Sequence, residues 1–246
     1  MNSKKTVGLI GFPLSHSFSR KYFTEKFRKE GIKDYEYLNF ELEDISEIMK
    51  VIKSNPELVG LNVTIPYKES VITYLDGLSA EAEEIGAVNT ICIKNKKLSG
   101  HNTDHIGFSK TLDLILDENP SGALILGTGG ASRAVEFSLI KRGIPFLYIS
   151  RKPSGNILSY NEIEVDILKR YPLLINTTPL GMYPHINSMP DIPYDLLGRE
   201  NCMIDLVYNP IKTLFLELGE KSGARIQNGL PMLEYQAEAS WELWTK

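Results

Sequence analysis

The stretch Ala123-Leu124-Ile125-Leu126-Gly127-Thr128-Gly129-Gly130-Ala131-Ser132-Arg133 decides how this chain is read. An apolar run gives a buried-strand signal, the glycines give a turn, and small residues open a helix that runs through Lys141 before another strand at 146–150. Strand, glycine turn, helix and strand in that order match the start of a dinucleotide fold. Glycine at 127 and 129 permits the tight turn and lets backbone N–H groups approach a pyrophosphate. The helix beginning near Ala131 presents its positive end to the same place. Ser132 stands where the GxGxxG pattern has its third glycine, and it is small enough for close packing. The next strand ends in Ser150-Arg151-Lys152, with no acid to hold a ribose 2′-OH and repel a 2′-phosphate. Arg151 offers a planar fork to a phosphate and Lys152 adds charge nearby, so the turn favours NADP over NAD.

Outward from this unit, β-rich runs alternate with amphipathic stretches from end to end, the pattern of an α/β protein with a largely parallel sheet. Strands are expected at Thr6 to Ile10, Tyr35 to Phe40, Leu58 to Val63 and Ala87 to Ile93, and helices at Phe18 to Lys29, Asp44 to Lys53, Glu69 to Leu75 and Ser79 to Ile85. In the first helix Phe18, Tyr22, Phe23 and Phe27 recur at helical spacing, a face that reads as core packing. Downstream, Leu173 to Ile175 and Met203 to Val207 read as strands, and Met232 to Trp244 as a closing helix.

Composition narrows the function classes. With 246 residues, 42% hydrophobic and 24% charged, the chain matches soluble globular proteins and not disordered, collagenous or disulfide-scaffold ones. A net charge of −4 and a pI near 5.7 provide no general attraction to nucleic acid or anionic lipid. Cys92 and Cys202 lie far apart without metal-ligand spacing, so two core thiols in a reducing compartment are expected, with no metal. The apolar run after Met1-Asn2-Ser3-Lys4-Lys5 is too short for a signal-peptide core, and no run approaches a membrane span. The expectation is a soluble cytoplasmic protein, monomer or homodimer, acting on a small molecule and on neither nucleic acid nor membrane.

Polar clusters mark the edges of the predicted elements: Ser15-His16-Ser17-Phe18-Ser19, Asn62 to Lys68, Gly86 to Thr90, and Asn102-Thr103-Asp104. Hydroxyls, amides, one lysine and one aspartate suit a small, polyhydroxylated, anionic ligand. A lysine sharing a pocket with an aspartate can deliver or remove a proton while the carboxylate orients it.

At these residues the chain resembles the shikimate dehydrogenase family over nearly its whole length. The pattern GxPxxHSxS is found from Gly11 to Ser19, NVTxPxK from Asn62 to Lys68, GAVNT from Gly86 to Thr90 and NTD from Asn102 to Asp104. GxGGA, NTTPxGM, DxxYNPxxT and GLPML with a following Gln are found at Gly127 to Ala131, Asn176 to Met182, Asp205 to Thr213 and Gly229 to Gln236. The resemblance implies two α/β domains, an N-terminal substrate domain and a Rossmann-like dinucleotide domain, with the active site in the cleft between them. The motif order sets them at residues 1–103 with 219–246 and at residues 104–218.

The implied activity is the reversible NADPH-dependent reduction of 3-dehydroshikimate to shikimate, on the way to chorismate and the aromatic amino acids. The same resemblance assigns Lys68 and Asp104 as the catalytic pair. It gives Ser17 and Ser19 the substrate carboxylate, with Thr64, Asn89, Tyr208 and Gln236 also lining the substrate site. Gly127, Thr128, Gly129, Gly130 and Ala131 take the pyrophosphate, and Ser150, Arg151 and Lys152 the adenosine phosphate. Leu206 and Gly229 touch the nicotinamide through backbone, and His16 stabilises the turn of its motif.

Two departures stand out. NTDG of the family is Asn102-Thr103-Asp104-His105 here, a bulkier start to the helix, and the family's Asn-Arg-Thr turn is Ser150-Arg151-Lys152. Only about twenty residues separate Arg151 from Leu173, too few for a full helix and strand. A missing or abbreviated helix is expected between Pro153 and Tyr171, with Val165 to Leu168 either strand or helix. The alternatives are an NAD-preferring quinate or shikimate dehydrogenase, and a ligand-sensing regulator without catalysis on the same fold.

Overall fold

A computed structural model describes residues 4–14 and 18–246 of the chain. Two compact units emerge, Met1–Thr103 with Ala237–Lys246, and Asp104–Gln236.

The first unit is built from β1 (Lys5–Gly11), α1 (Phe18–Lys29), β2 (Tyr35–Glu41), α2 (Ile48–Ser54), β3 (Leu58–Val63), β4 (Gly77–Leu78), α3 (Ala80–Ile85), β5 (Thr90–Lys94) and β6 (Lys97–His101). Its sheet has the order β2-β1-β3-β5-β6-β4. The first three strands run parallel, but β5 pairs antiparallel with both β3 and β6, so this sheet is mixed where a largely parallel one was expected. The β5–β6 pairing is local and follows the turn chemistry of the sequence: Asn95 and Lys96 adopt positive φ and close a tight hairpin; the antiparallel pairing of β5 with β3 is long-range. Side chains alternate across the sheet. Ile10, Leu61 and Ile91 pack with Ile48 and Val71 on one face, and Val7, Leu9 and Cys92 pack with Phe23, Phe27 and Trp244 on the other. The aromatic face of α1 is core, with Phe23 stacked on Tyr37 at 4.6 Å between ring centroids. The stretch expected as a helix from Glu69 forms a 3₁₀ turn, Ser70–Tyr74.

The second unit comprises α4 (Asp104–Ile115), β7 (Ala123–Leu126), α5 (Gly130–Arg142), β8 (Phe146–Ile149), α6 (Val165–Arg170), β9 (Leu173–Asn176), β10 (Cys202–Asp205), α7 (Leu214–Lys221), β11 (Arg225–Gln227) and the start of α8 (Leu230–Thr245), whose last turns belong to the first unit. Its sheet is wholly parallel in the order β11-β10-β9-β7-β8. Leu124 and Leu126 face a layer with Leu168 and Phe215, while Ala123 and Ile125 face Phe108, Val135 and Leu139.

The boundary expected at residue 219 falls later. Met203 Sδ of β10 fills the space beside Gly219, leaving 2.1 Å to where a Cβ would stand, and β11 is hydrogen-bonded to β10, so residues 219–236 belong to the dinucleotide unit. The shortened segment takes a definite form as well. Val165 to Leu168 is helix, within the single short α6, and Leu158 makes one parallel bridge to Ile149 at the edge of β8. A six-stranded dinucleotide sheet runs third-second-first-fourth-fifth-sixth, and removing its third strand yields the order seen here. Leu158 sits where that strand would end, donating its N–H to Tyr148 O at 2.9 Å and accepting from Ser150 N at 2.8 Å.

Candidate functional site

In the first unit the loops that leave β1 and β3 are tied together. Thr64 donates its N–H to Ile10 O at 2.9 Å, and Phe12 donates to Ile65 O at 3.1 Å. Thr64 and Lys68 are half-buried. The Lys68 carbonyl accepts from Val88 N at 2.7 Å, which holds the lysine's turn beside the segment carrying Asn89. Asn89 is buried; its Oδ1 accepts from Thr103 N at 2.6 Å and its Nδ2 donates to Thr103 Oγ1 at 2.9 Å.

Behind these groups runs a buried, uncharged network. The Ser19 hydroxyl bonds to that of Tyr37, which donates to Asn62 Oδ1 at 2.8 Å. Asn62 Nδ2 donates to Ser240 Oγ at 3.0 Å, and Ser240 Oγ lies 2.7 Å from Thr90 Oγ1 and 3.1 Å from Thr103 Oγ1. Burial pushes the Tyr37 hydroxyl far above its ordinary pKa, so it stays protonated and can act as donor. Tyr37, Thr90, Thr103 and Ser240 carried no role in the sequence reading. Asn62 offered a signal, as an amide between Leu61 and Val63 in an otherwise apolar strand. Ser17 and His16 lie outside the described residues.

In the second unit the glycine turn is built for close approach. Gly127 has φ of 105°, a region favouring glycine, and a Cβ there would lie 2.7 Å from Thr178 Cγ2. Its N–H is donated to Ile149 O at 2.9 Å, and Thr177 Oγ1 donates to Leu126 O at 2.8 Å, so the turn is braced by the Asn176–Thr178 segment. Thr128 and Gly129 line its open side, and a Cβ at Gly129 would meet nothing within 4 Å. Gly129 caps α5 without a side-chain acceptor, and Gly130 and Ala131 form its first turn. Ser132 is buried and donates back to Gly129 O at 2.6 Å, consistent with a small residue being needed there. Ser150 Oγ accepts from Lys152 N at 3.2 Å, and Arg151 and Lys152 are exposed at the end of β8. An open glycine cradle at a helix N-terminus with a basic, acid-free turn on the neighbouring strand fits a dinucleotide bearing a 2′-phosphate. Among the described residues no group of three or more His, Cys, Asp or Glu side chains could hold a metal ion.

Leu206 and Gly229 are brought together. A Cβ on Gly229 would lie 2.1 Å from Leu206 O, and Gly229 donates its N–H to Val207 O at 3.1 Å. Beneath them Asp205 is fully buried. Its Oδ1 accepts from Asn176 Nδ2 at 2.9 Å and Val207 N at 3.0 Å, and its Oδ2 accepts from Thr213 Oγ1 at 2.5 Å. Burial raises its pKa to about 6 against the three hydrogen bonds that lower it. Sequence reasoning quoted Asp205 within a motif and gave it no role; an acid inside the apolar run Met203 to Val207 is the signal that could have found it.

Tyr208 is half-buried, with its hydroxyl pKa raised by burial, and Gln236 is buried on α8. Asp104 is buried as the first residue of α4, where a helix N-terminus favours an anion. The bulk of His105 is taken up by α5: its ring meets Phe137 edge-on at 4.9 Å and its carbonyl accepts from Ser138 Oγ at 3.2 Å. Ser19, Thr64, Lys68 and Asn89 thus belong to the first unit. Asp104, Gly127 to Ala131, Ser150 to Lys152, Leu206, Tyr208, Gly229 and Gln236 belong to the second.

The profile described as shikimate dehydrogenase substrate binding domain matches residues 9–91. A shikimate dehydrogenase (NADP(+)) of Methanococcus maripaludis is 40% identical, the match covering 100% of this chain and 94% of that protein. The chain belongs to the shikimate dehydrogenase family. Its members include a solved shikimate 5-dehydrogenase of Thermus thermophilus in complex with NADP(H) and shikimate. That structure matches with a TM-score of 0.85 at 30% identity and covers 98% of this chain and 93% of its own. The shikimate 5-dehydrogenase of Listeria monocytogenes in complex with shikimate and NAD matches with a TM-score of 0.86, 30% identity and coverage of 98% and 92%. The fold is therefore that of the family, an α/β substrate domain plus a Rossmann-like domain. The alignment with the Methanococcus protein runs over 266 positions against the 246 residues of this chain, so that relative carries positions this chain lacks. Among the described residues no helix is long and apolar enough to cross a membrane.

Proposed function

We propose that this protein is an NADP-dependent shikimate dehydrogenase, reducing 3-dehydroshikimate to shikimate reversibly in the cytoplasm, on the route to chorismate and the aromatic amino acids. The observation that carries the reading is the joint presence of Lys68 and Asp104 with an open glycine cradle and the acid-free turn Ser150-Arg151-Lys152 in one chain of this family.

When bound, NADPH supplies the hydride. Gly127 to Ala131 hold its pyrophosphate, Ser150, Arg151 and Lys152 hold its 2′-phosphate end, and Leu206 and Gly229 meet the nicotinamide through backbone. Ser17 and Ser19 hold the substrate carboxylate, while Thr64, Asn89, Tyr208 and Gln236 complete the substrate's surroundings. As negative charge grows on the C3 oxygen of the substrate, the Lys68 ammonium stabilises it and delivers a proton. In the opposite direction the neutral amine takes the proton from the hydroxyl. Asp104 orients both the substrate hydroxyl and Lys68.

An initial-rate assay of NADPH formation with shikimate or quinate and NADP or NAD tests this. Shikimate with NADP should give the highest kcat/KM; a strong NAD preference overturns the role of Arg151, and binding without turnover overturns the enzyme reading. Lys68→Ala should lower turnover by roughly 10²- to 10⁴-fold, with less effect on KM. Near-normal turnover in that variant would remove the assigned acid–base role.

A further inference from the structure

We propose that Asp205 is the positioning residue for the nicotinamide half of the dinucleotide site. This rests on the functional reading above. The carboxylate sits at the carboxyl end of β10, and its partners come from three separate stretches of chain. Asn176 ends β9, Val207 lies in the segment that follows Asp205 itself, and Thr213 caps α7.

Each partner governs something beyond itself. Asn176 Oδ1 accepts from both the N–H and the hydroxyl of Thr178, at 3.0 and 2.6 Å, and so shapes the turn that packs against Gly127. The Val207 carbonyl accepts from Gly229, whose backbone stands against Leu206. Asp205 therefore fixes, from inside the unit, the two backbone segments assigned to the nicotinamide. A carboxylate suits this task because its two oxygens accept several bonds at once, which no neutral side chain of that size matches. The adenosine end stands mainly on other supports: Gly127 bonds to Ile149 O and Ser150 bonds to Leu158 O, and Asp205 reaches Gly127 only indirectly, through Asn176 and the Thr178 turn.

That separation yields the test. Dissociation constants for NADP and for adenosine 2′,5′-bisphosphate, which lacks the nicotinamide half, are measured by calorimetry on the wild type, Asp205→Ala, Asp205→Asn and Thr213→Val. Asp205→Ala should bind NADP roughly 10-fold more weakly, with at most about a 2-fold change for the bisphosphate. Asp205→Asn keeps an acceptor for Asn176 and Val207 and should recover most of that loss. Thr213→Val should show a smaller loss of the same selectivity, and it carries the test if Asp205→Ala does not fold. Variants that bind NADP as tightly as the wild type, or that lose both compounds equally, overturn the role of Asp205. A wild type that binds neither compound overturns the functional reading instead, and this inference with it.

Discussion

The two units organise buried polar groups in opposite ways. In the first, Tyr37, Asn62, Ser240, Thr90, Thr103 and Asn89 form a network of hydroxyls and amides, none of them ionised. In the second, one fully buried carboxylate, that of Asp205, gathers three donors. A neutral network distributes its interactions, so losing one member leaves the others paired. A lone anion concentrates them, so its removal orphans every donor together.

The largest expected effect follows from that concentration. Asp205→Leu should destabilise the second unit by about 3–5 kcal/mol, because Asn176, Val207 and Thr213 are left unpaired in the interior. Urea unfolding followed by circular dichroism measures it, and a loss under about 1 kcal/mol would mean that the donors find other acceptors.

Next comes pH. Asp205 titrates near 6 in the folded protein and near 3.8 when free, so between those values the folded state binds more protons than the unfolded state. The contribution of this residue to stability therefore falls as pH rises from about 4 through 6, by about 3 kcal/mol in all, and is flat above. Stability of Asp205→Asn relative to the wild type should climb over that window and then level off. Parallel urea midpoints across the whole range would show instead that the carboxylate titrates normally. An acid whose ionisation costs stability at neutral pH and which yet occupies a central position accords with a role in placing backbone for a ligand.

The smallest effect belongs to the neutral network. Ser240→Ala should cost only about 1–2 kcal/mol with no pH dependence near neutrality. Both tryptophans of the chain, Trp241 and Trp244, pack among the aromatic residues of the first unit, so their fluorescence reports its unfolding specifically. A loss as large as that of Asp205→Leu would show that the network is no more tolerant than the single anion.

These two regions also show what a sequence exposes. The α1 boundaries, Phe18–Lys29, and the strand, glycine turn and helix around Gly127 were legible because hydrophobic period and turn chemistry are local properties. The family motifs pointed to Thr64, Lys68, Asn89 and Asp104. Ser240 was invisible, since its partners Asn62 and Thr90 lie far away along the chain and nothing in its own helix marks it. Likewise β11 reads as a polar three-residue stretch, and only its pairing with β10 assigns it to the second unit. The hairpin through Asn95-Lys96-Lys97 was legible from its turn residues, whereas the antiparallel pairing of β5 with β3 escaped because partner and direction are set over long range and not by strand composition.

The edge of β8 has one more consequence. A chain that drops a strand from an open sheet uncovers a row of backbone donors and acceptors, an invitation to pairing between molecules. Leu158, bridged to Ile149 and bonded at Tyr148 and Ser150, occupies the carboxyl end of that row with a single residue. At that end of β8 the backbone N–H of Ser150 and the carbonyl of Tyr148 are satisfied within the chain, so the strand edge beside the turn that carries Arg151 is closed by its own sequence.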